Sequence, residues 1–197
     1  MAQAIELLRD RARRLVPEEL SRIFPDAALD EFINEGLQSL EYWKPKASTL
    51  TWAVDATSVT LPTDLIHIDK IICDDGDFLD SYFQHGGSLY FHDPTGASIA
   101  GGASIYYWAY YPEINGTQDS ELPPIGDTAL VQYCAYKMFR RVATSRSDYR
   151  KYAVLMGGNG ADISVLEAQA DIFFRDFEDA KRKLEILKPP TLYYGGN

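Results

Sequence analysis

The sequence predicts an α+β protein in which both chain ends build a helical bundle around an inserted antiparallel β-domain. Apolar residues recur at helical spacing near the ends, whereas the middle has short β-rich runs broken by Asp-Gly, Gly-Gly and proline turns. Charge changes at the same places. The 197 residues have a net charge of −10, yet residues 47–125 hold eleven acidic side chains and one basic one, and the two flanks together sum to zero. We therefore expect residues 1–46 and 126–187 to form the α-helical bundle, 47–125 a small acidic β-domain, and 188–197 an extended C-terminal arm.

Two helices are predicted before residue 46. The first has an apolar face opposite four arginines and ends at Pro17. The second begins with Asp26 as its N-cap and stops at Pro45. The predicted buried faces are Ile5, Leu8, Ala12 and Leu15 in the first helix and Leu29, Ile33, Leu37 and Leu40 in the second.

The middle segment predicts a sheet of short strands. They are expected at Thr49–Val54, Ser58–Leu61, Leu65–Cys73, Ser88–His92 and Ala103–Tyr111. The last strand has aromatic side chains at alternate and at adjacent positions, among them Tyr106, Tyr107 and Trp108. Both of its faces are thus apolar, and we expect both to be covered.

Two further helices are predicted after the β-domain. Asp127 is the expected N-cap of the first, with Val131, Ala135, Met138 and Val142 on one face. The second has a heptad-like seam and ends at Pro189-Pro190. Its members are Leu166, Ala170, Phe173, Phe177, Ala180, Leu184 and Leu187. The pattern leaves the conformation of Thr144–Gly160 open.

Catalytic chemistry finds little support in the sequence. It contains no phosphate-binding loop, nucleophile elbow, His-Glu-x-x-His or Cys-x-x-Cys motif. Cys73 and Cys134 stand alone in apolar segments, which disfavours a disulfide or zinc site. We therefore expect no enzyme activity, catalytic residue, cofactor or metal. No apolar run reaches the ~18 residues of a membrane span, and the acidic balance disfavours direct binding to DNA.

Three groups of residues are candidates for contact with partners. Asp74, Asp75, Asp77 and Asp80 form an acidic face; their spacing departs from that of a calcium loop, and a solvated turn explains the first three. Arg9, Arg11, Arg13 and Arg14 form a basic face. Such a face can contact phosphate, but the acidic residues between the arginines favour contact with another subunit or pairing on the surface. Pro189, Pro190, Leu192, Tyr193 and Tyr194 form the arm, whose large side chains follow the proline stop of the last helix. It is either a frayed tail or a docking arm, and we favour docking.

Several short motifs, in order over roughly residues 25–185, resemble the head-to-tail adaptor (connector, or neck) proteins of tailed bacteriophages. They are Leu29–Leu40, Val59-Thr60-Leu61-Pro62, Ala109–Pro112, Leu122-Pro123-Pro124 and Ala129–Ala135. The resemblance implies a structural virion protein, made in the host bacterial cytoplasm and located at the head-tail interface. It implies a homo-oligomeric ring of twelve copies that binds the portal protein through the C-terminal arm and offers a tail or stopper/nozzle protein its attachment surface.

The resemblance also implies that the ring extends the DNA channel. DNA would pass through without specific binding, and no membrane is involved. The acidic residues would then either line the channel or face the tail protein. The alternative function, suggested by the aromatic strand, is a β-module of a phage tail that binds a carbohydrate or receptor.

Overall fold

The computed structural model describes residues 4–41, 46–54, 56–79, 81–91, 101–158 and 162–186. Within them the helices are α1 Ile5–Leu15, α2 Glu18–Ser21, α3 Asp26–Glu41, α4 Pro124–Thr144, α5 Arg146–Leu155 and α6 Ile163–Ile186. The strands are β1 Lys46–Trp52, β2 Ser58–Thr60, β3 Leu65–Cys73, β4 Tyr82–His85, β5 Ser88–Phe91 and β6 Ala103–Ala109. Two compact units result: a helical unit of Met1–Lys44 and Glu113–Asn197, and a β unit of Pro45–Pro112. The predicted α+β class is confirmed.

Helix α4 is the centre of the helical unit, because α1, α3, α5 and α6 all pack against it. Its predicted face is buried, and so are Leu130, Cys134 and Phe139 on other sides. Helix α6 pairs with α4 through aromatic rings, with centroids 5.0 Å apart for Tyr133 and Phe177. The predicted seam of α6 is buried at Leu166, Ala170, Phe177, Ala180 and Leu184, partly buried at Phe173, and lies outside the described residues at Leu187.

Both predicted N-caps are wrong, Asp26 by one residue and Asp127 by four. Helix α3 begins at Asp26 itself, and the Pro25 carbonyl accepts the first helical hydrogen bond, from the Leu29 N–H at 3.3 Å. Helix α4 begins at Pro124, since proline suits the first helical position. Asp127 consequently lies one turn inside α4 and is buried.

The predicted stripe of α1 fails at its last member. Ile5, Leu8 and Ala12 are buried, but Leu15 is 40% exposed. The helix ends there, and the extended backbone of Val16 places that side chain inside instead. Helix α5 occupies part of the segment that the sequence left open, and the Ser145 hydroxyl caps it by accepting from the Asp148 N–H at 3.4 Å.

The β unit consists of two three-stranded sheets, ordered β1-β6-β3 and β2-β5-β4. Their pairing is antiparallel, as predicted. Both sheets contribute to one apolar core, made of Trp52, Leu61, Ile71, Leu89, Ala103 and Ile105. The indole of Trp52 is fully buried and donates to the Ala56 carbonyl at 2.9 Å. Its polar atom is therefore satisfied inside the core.

Strand β4 was absent from the sequence-based prediction. It pairs with β5 through a two-residue turn at Gly86-Gly87, whose φ angles of 56° and 76° only glycine adopts readily. The prediction that both faces of β6 are covered is also wrong. Ile105 and Tyr107 face the interior, whereas Tyr106 on the other face is 36% exposed.

The polar segment after β6 belongs to the helical unit. We call residues 113–122 the strap. Asn34 of α3 bonds both backbone groups of Ile114: its Oδ1 accepts from the N–H at 2.9 Å, and its Nδ2 donates to the carbonyl at 3.0 Å. The acidic side chains of the strap therefore belong to the helical unit, whereas Lys46 belongs to the β unit. The β unit has eight acidic and two basic side chains, a net charge of −6.

Candidate partner-binding surfaces

The arginines of α1 are largely engaged within their own chain. Arg9 pairs with Asp26 at 2.5 Å and with Asp30 at 3.2 Å. Arg13 also pairs with Asp26, at 2.5 Å, and donates to the Ser21 carbonyl at 3.1 Å. Arg11 donates to the Thr128 hydroxyl at 3.1 Å. These arginines tie α1 to α3 and α4, and Arg14 lies exposed beside them.

The pKa values of the two carboxyl groups in these pairs shift in opposite directions, for different reasons. The Arg13 hydrogen bond, aided by Arg9, lowers the pKa of Asp26. Burial raises the pKa of Asp30 despite the charge of Arg9. The basic face predicted for contact with another subunit therefore has an internal structural role at three of its four positions, and its intersubunit role stays a prediction.

Three of the four predicted acidic residues lie at one tight hairpin, which we call the acidic tip and define as residues 73–78. The Gly76 N–H donates to the Cys73 carbonyl at 2.9 Å, and the Cys73 N–H to the Asp77 carbonyl at 2.9 Å. Gly76 has a φ of 94°, as the bulge position of such a hairpin requires. The segment forms the predicted turn and exposes Asp74, Asp75 and Asp77. Asp80 lies outside the described residues.

The acidic tip creates a local negative potential and carries an apolar side chain. Burial raises the pKa of the Cys73 thiol first, and Asp75, Asp77 and Asp74 raise it further. Phe78 follows the turn, bridges to Ile72 of β3, and is 60% exposed. An exposed phenylalanine beside three carboxylates fits a partner that offers cations and an apolar contact.

The outer face of the β1-β6-β3 sheet has a row of aromatic side chains. The ammonium group of Lys70 lies over the Tyr106 ring, 5.1 Å from its centroid, and His67 lies beside Trp108 at 6.4 Å between centroids. Tyr110 continues the row just beyond β6 and is exposed. Among the described surfaces, this face best matches the aromatic surface that the carbohydrate-binding alternative requires.

Helix α5 has an exposed surface that sequence reasoning missed. Arg146, Arg150 and Val154 recur every fourth residue and are all exposed, so they form one line along the helix, which we call the α5 stripe. Val154 is 76% exposed, and the next two residues, Leu155 and Met156, add apolar surface at the end of the helix. The four-residue spacing is visible in the sequence, but only the structure shows that this side of α5 faces away from α4 and is exposed.

Two fully buried titratable side chains of the described residues, Asp127 and Cys134, have raised pKa values. Ser120 and Asp127 are both fully buried, and the serine hydroxyl donates to the carboxylate at 2.5 Å. Desolvation raises the pKa of Asp127, against the lowering effects of Ser120 and Arg11. Burial also raises the pKa of the Cys134 thiol to about 12, which keeps it protonated and a poor nucleophile.

The described residues offer no cluster of three or more His, Cys, Asp or Glu side chains able to hold a metal ion. In the same part of the chain, no helix is both long and apolar enough to cross a membrane. The predicted arm residues, Pro189 to Tyr194, lie outside the described residues, so the structure does not place them.

Comparison with models of protein families identifies the family of the chain. Residues 2–185 match the family model described as SU10 adaptor protein. The match covers every described residue except Ile186, and it ends before the predicted arm. No curated protein sequence matches the chain.

Proposed function

Because this chain belongs to the SU10 adaptor protein family of phage head-to-tail adaptors, we propose that it forms a ring that joins the portal to the tail. The observation that carries this proposal is the family match over residues 2–185. The α+β architecture, with a helical unit built from both chain ends, agrees with the fold expected from the resemblance. The proposed role is structural and needs no catalytic residue or cofactor.

The ring has twelve copies in this proposal and binds the portal protein through the C-terminal arm. Tyrosine side chains bury roughly 150–250 Å² each, so Tyr193 and Tyr194 together give each copy a substantial contact. Twelve such arms act at high effective concentration once the first has bound. A modest contact per copy is then sufficient for a stable junction at the head-tail interface of the virion, with the tail or stopper protein bound on the other side.

The charge of the β unit supports a conduit that does not hold DNA. Eight acidic and two basic side chains repel phosphate over about a Debye length, roughly 8–10 Å. Repetition of this charge around a ring strengthens the field. In this proposal duplex DNA passes through the ring without specific binding.

The arm is tested by deletion of residues 188–197. We expect the truncated chain to keep its far-UV circular dichroism and lose co-sedimentation with portal-bearing capsids. A matched variant, Leu192→Ser with Tyr193→Ser and Tyr194→Ser, keeps the length of the arm and is expected to lose binding as well. Full binding by both variants would rule out the arm as the portal contact.

The ring is tested by electron microscopy of the full chain, alone and on portal-bearing capsids. We expect closed rings in at least the second sample, with twelve copies by mass measurement. A protein that stays monomeric in both samples would contradict the proposed function itself.

The aromatic row of the β unit supports a second candidate function, the binding of a carbohydrate or receptor. Tyr106 and Tyr110 are exposed on the row that includes Trp108. Binding on a glycan array that is lost on Trp108→Ala or Tyr110→Ala would favour it. No glycan binding by the wild-type chain would leave the adaptor role as the sole candidate.

A further inference from the structure

The α5 stripe combines exposed positive charge with exposed apolar surface. Among the described residues, neither Arg146 nor Arg150 makes an ion pair, whereas Lys151 and Arg141 both pair with Asp148, at 3.1 and 3.4 Å. The two arginines of the stripe therefore differ from Arg9 and Arg13 of α1, which are paired with carboxylates of their own chain. Val154 follows them on the same line as the most exposed of the large apolar side chains described.

The acidic tip has the complementary composition. Asp74, Asp75 and Asp77 are exposed, and no ion pair to them is present among the described residues. Phe78 adds an apolar contact directly beside them. The tip also has a fixed shape, because the hairpin hydrogen bonds and the Asp75 carboxylate, which accepts from the Asp77 N–H at 3.1 Å, hold the turn.

We infer that, in the ring proposed above, the acidic tip of one copy binds the α5 stripe of the next copy. Carboxylates of the tip meet Arg146 and Arg150, and Phe78 packs against Val154 and Met156. The inference rests on the proposed function, since it names the surfaces through which the ring closes. Two different surfaces of one chain that complement each other make a heterologous contact, and repetition of such a contact closes a ring when the rotation from copy to copy divides a full turn.

Charge reversal tests the contact, with ring formation on portal-bearing capsids as the measurement. Asp74→Lys with Asp77→Lys, and separately Arg146→Glu with Arg150→Glu, are each expected to lower the amount of ring at least tenfold. Asp75 is left in place because it holds the turn. The matched control, Asp69→Lys with Asp119→Lys, changes the net charge as much as the first variant at other exposed positions and is expected to assemble within twofold of wild type.

Mixing the two defective variants separates a contact between copies from one within a chain. In an even-numbered ring with alternating copies, every lysine tip meets a glutamate stripe and every aspartate tip meets an arginine stripe. We expect the mixture to recover ring formation to within threefold of wild type. A contact within one chain gives no recovery on mixing, and that result would overturn the inference.

A photo-crosslinker identifies the contact directly. Phe78 is replaced by benzoylphenylalanine, and rings are assembled from equal amounts of ¹⁴N-labelled and ¹⁵N-labelled chains. Mass spectrometry is expected to find crosslinks between isotopically different chains that join residue 78 to the tryptic peptide 152–175. Crosslinks confined to single chains, or to the portal or tail protein, would overturn the inference while rings still support the adaptor role. Absence of rings for the wild-type chain would overturn both.

Discussion

The helical unit and the β unit differ in where their polar and aromatic side chains are used. In the helical unit, Arg9 and Arg13 pair with carboxylates of α3, and the strap is held by hydrogen bonds to Asn34 and Asp127. In the β unit, one apolar core holds the two sheets together, while Phe78, Tyr106 and the three aspartates of the acidic tip remain exposed.

This difference indicates which substitutions should affect folding and which should affect assembly. A side chain that is paired or buried inside its unit contributes to the free energy of unfolding. An exposed phenylalanine with neighbouring charges contributes little to folding and remains available to a partner. The following substitutions test this division, each with a matched control.

The largest effect is expected for Phe177→Ala in α6. Phe177 is fully buried and lies 5.0 Å from the Tyr133 ring, so its removal leaves a cavity that costs about 3–5 kcal/mol of unfolding free energy. Urea unfolding followed by far-UV circular dichroism measures this. The control is Phe174→Ala, three residues earlier and partly exposed, with an expected cost of about 1 kcal/mol. Equal costs would show that α6 is not packed as described.

A smaller loss is expected for Trp52→Phe in the β unit. The variant removes a buried hydrogen bond to the Ala56 carbonyl and part of the core volume, at a cost of about 2 kcal/mol. Hydrogen-exchange mass spectrometry should show the loss of protection within residues 46–109. Trp108→Phe on the outer face should cost less than about 1 kcal/mol. A larger cost at Trp108 than at Trp52 would reverse the assignment of inner and outer faces.

The strap is tested by Asn34→Ala, which leaves two backbone groups of Ile114 without their partner. The expected cost is about 1–3 kcal/mol, because Ile114 is buried and water cannot easily replace the amide. Exchange of the Ile114 N–H, followed by NMR, should accelerate selectively. Asn115→Ala removes hydrogen bonds of an exposed turn and should change stability by less than about 0.5 kcal/mol.

The smallest effect, and one that depends on pH, is expected for Asp127→Asn. Desolvation raises the pKa of Asp127 above its ordinary value of 3.8. The wild type is therefore most stable below that value, where the carboxyl is protonated in both the folded and the unfolded state. It loses stability as pH rises through the folded-state pKa. The neutral amide avoids this loss. We expect the variant to gain about 1 kcal/mol at pH 7 and to match the wild type near pH 3, in thermal melts across that range.

The matched substitution Asp26→Asn should have the opposite sign. The hydrogen bond from Arg13 lowers the pKa of Asp26, so its contribution is present above the ordinary value of 3.8 and disappears as pH falls through the lowered pKa. The variant should therefore be less stable than the wild type at pH 7 and approach it in acid. Parallel pH profiles for the two variants would contradict the assigned environments.

Periodicity predicted the helices that have one buried face, because apolar residues at helical spacing lie on the same face and are buried together. The α6 seam and most of the α1 stripe follow from it. Strand β4 has no such signal, since all four of its residues are exposed. The sequence evidence for β4 is the Gly86-Gly87 turn, which lies between two aromatic runs. The prediction placed a strand after this turn, at Ser88, and none before it.

The candidate surfaces were predicted less completely, because the exposure and the ion pairs of a side chain depend on residues distant in sequence. Local spacing identified the turn at Asp74 to Asp77, but not the exposure of Phe78 beside it. Asp127 is a residue type common at N-caps, yet α4 begins three residues earlier at Pro124, and the Ser120 hydroxyl bonds the Asp127 carboxylate inside the unit. The arginines of α1 were recognised as a group, and only the fold shows that α3 supplies the carboxylates for two of them.

The pairing of β1 with β6 has a consequence for how such proteins diversify. Lys46, where the described chain enters the β unit, lies opposite Ala109, where it leaves β6. The two ends of the insert are therefore neighbours on adjacent strands, which is the condition under which one module can be exchanged for another without rebuilding its host. A relative could therefore carry a different insert between α3 and α4 while it keeps the same helical unit.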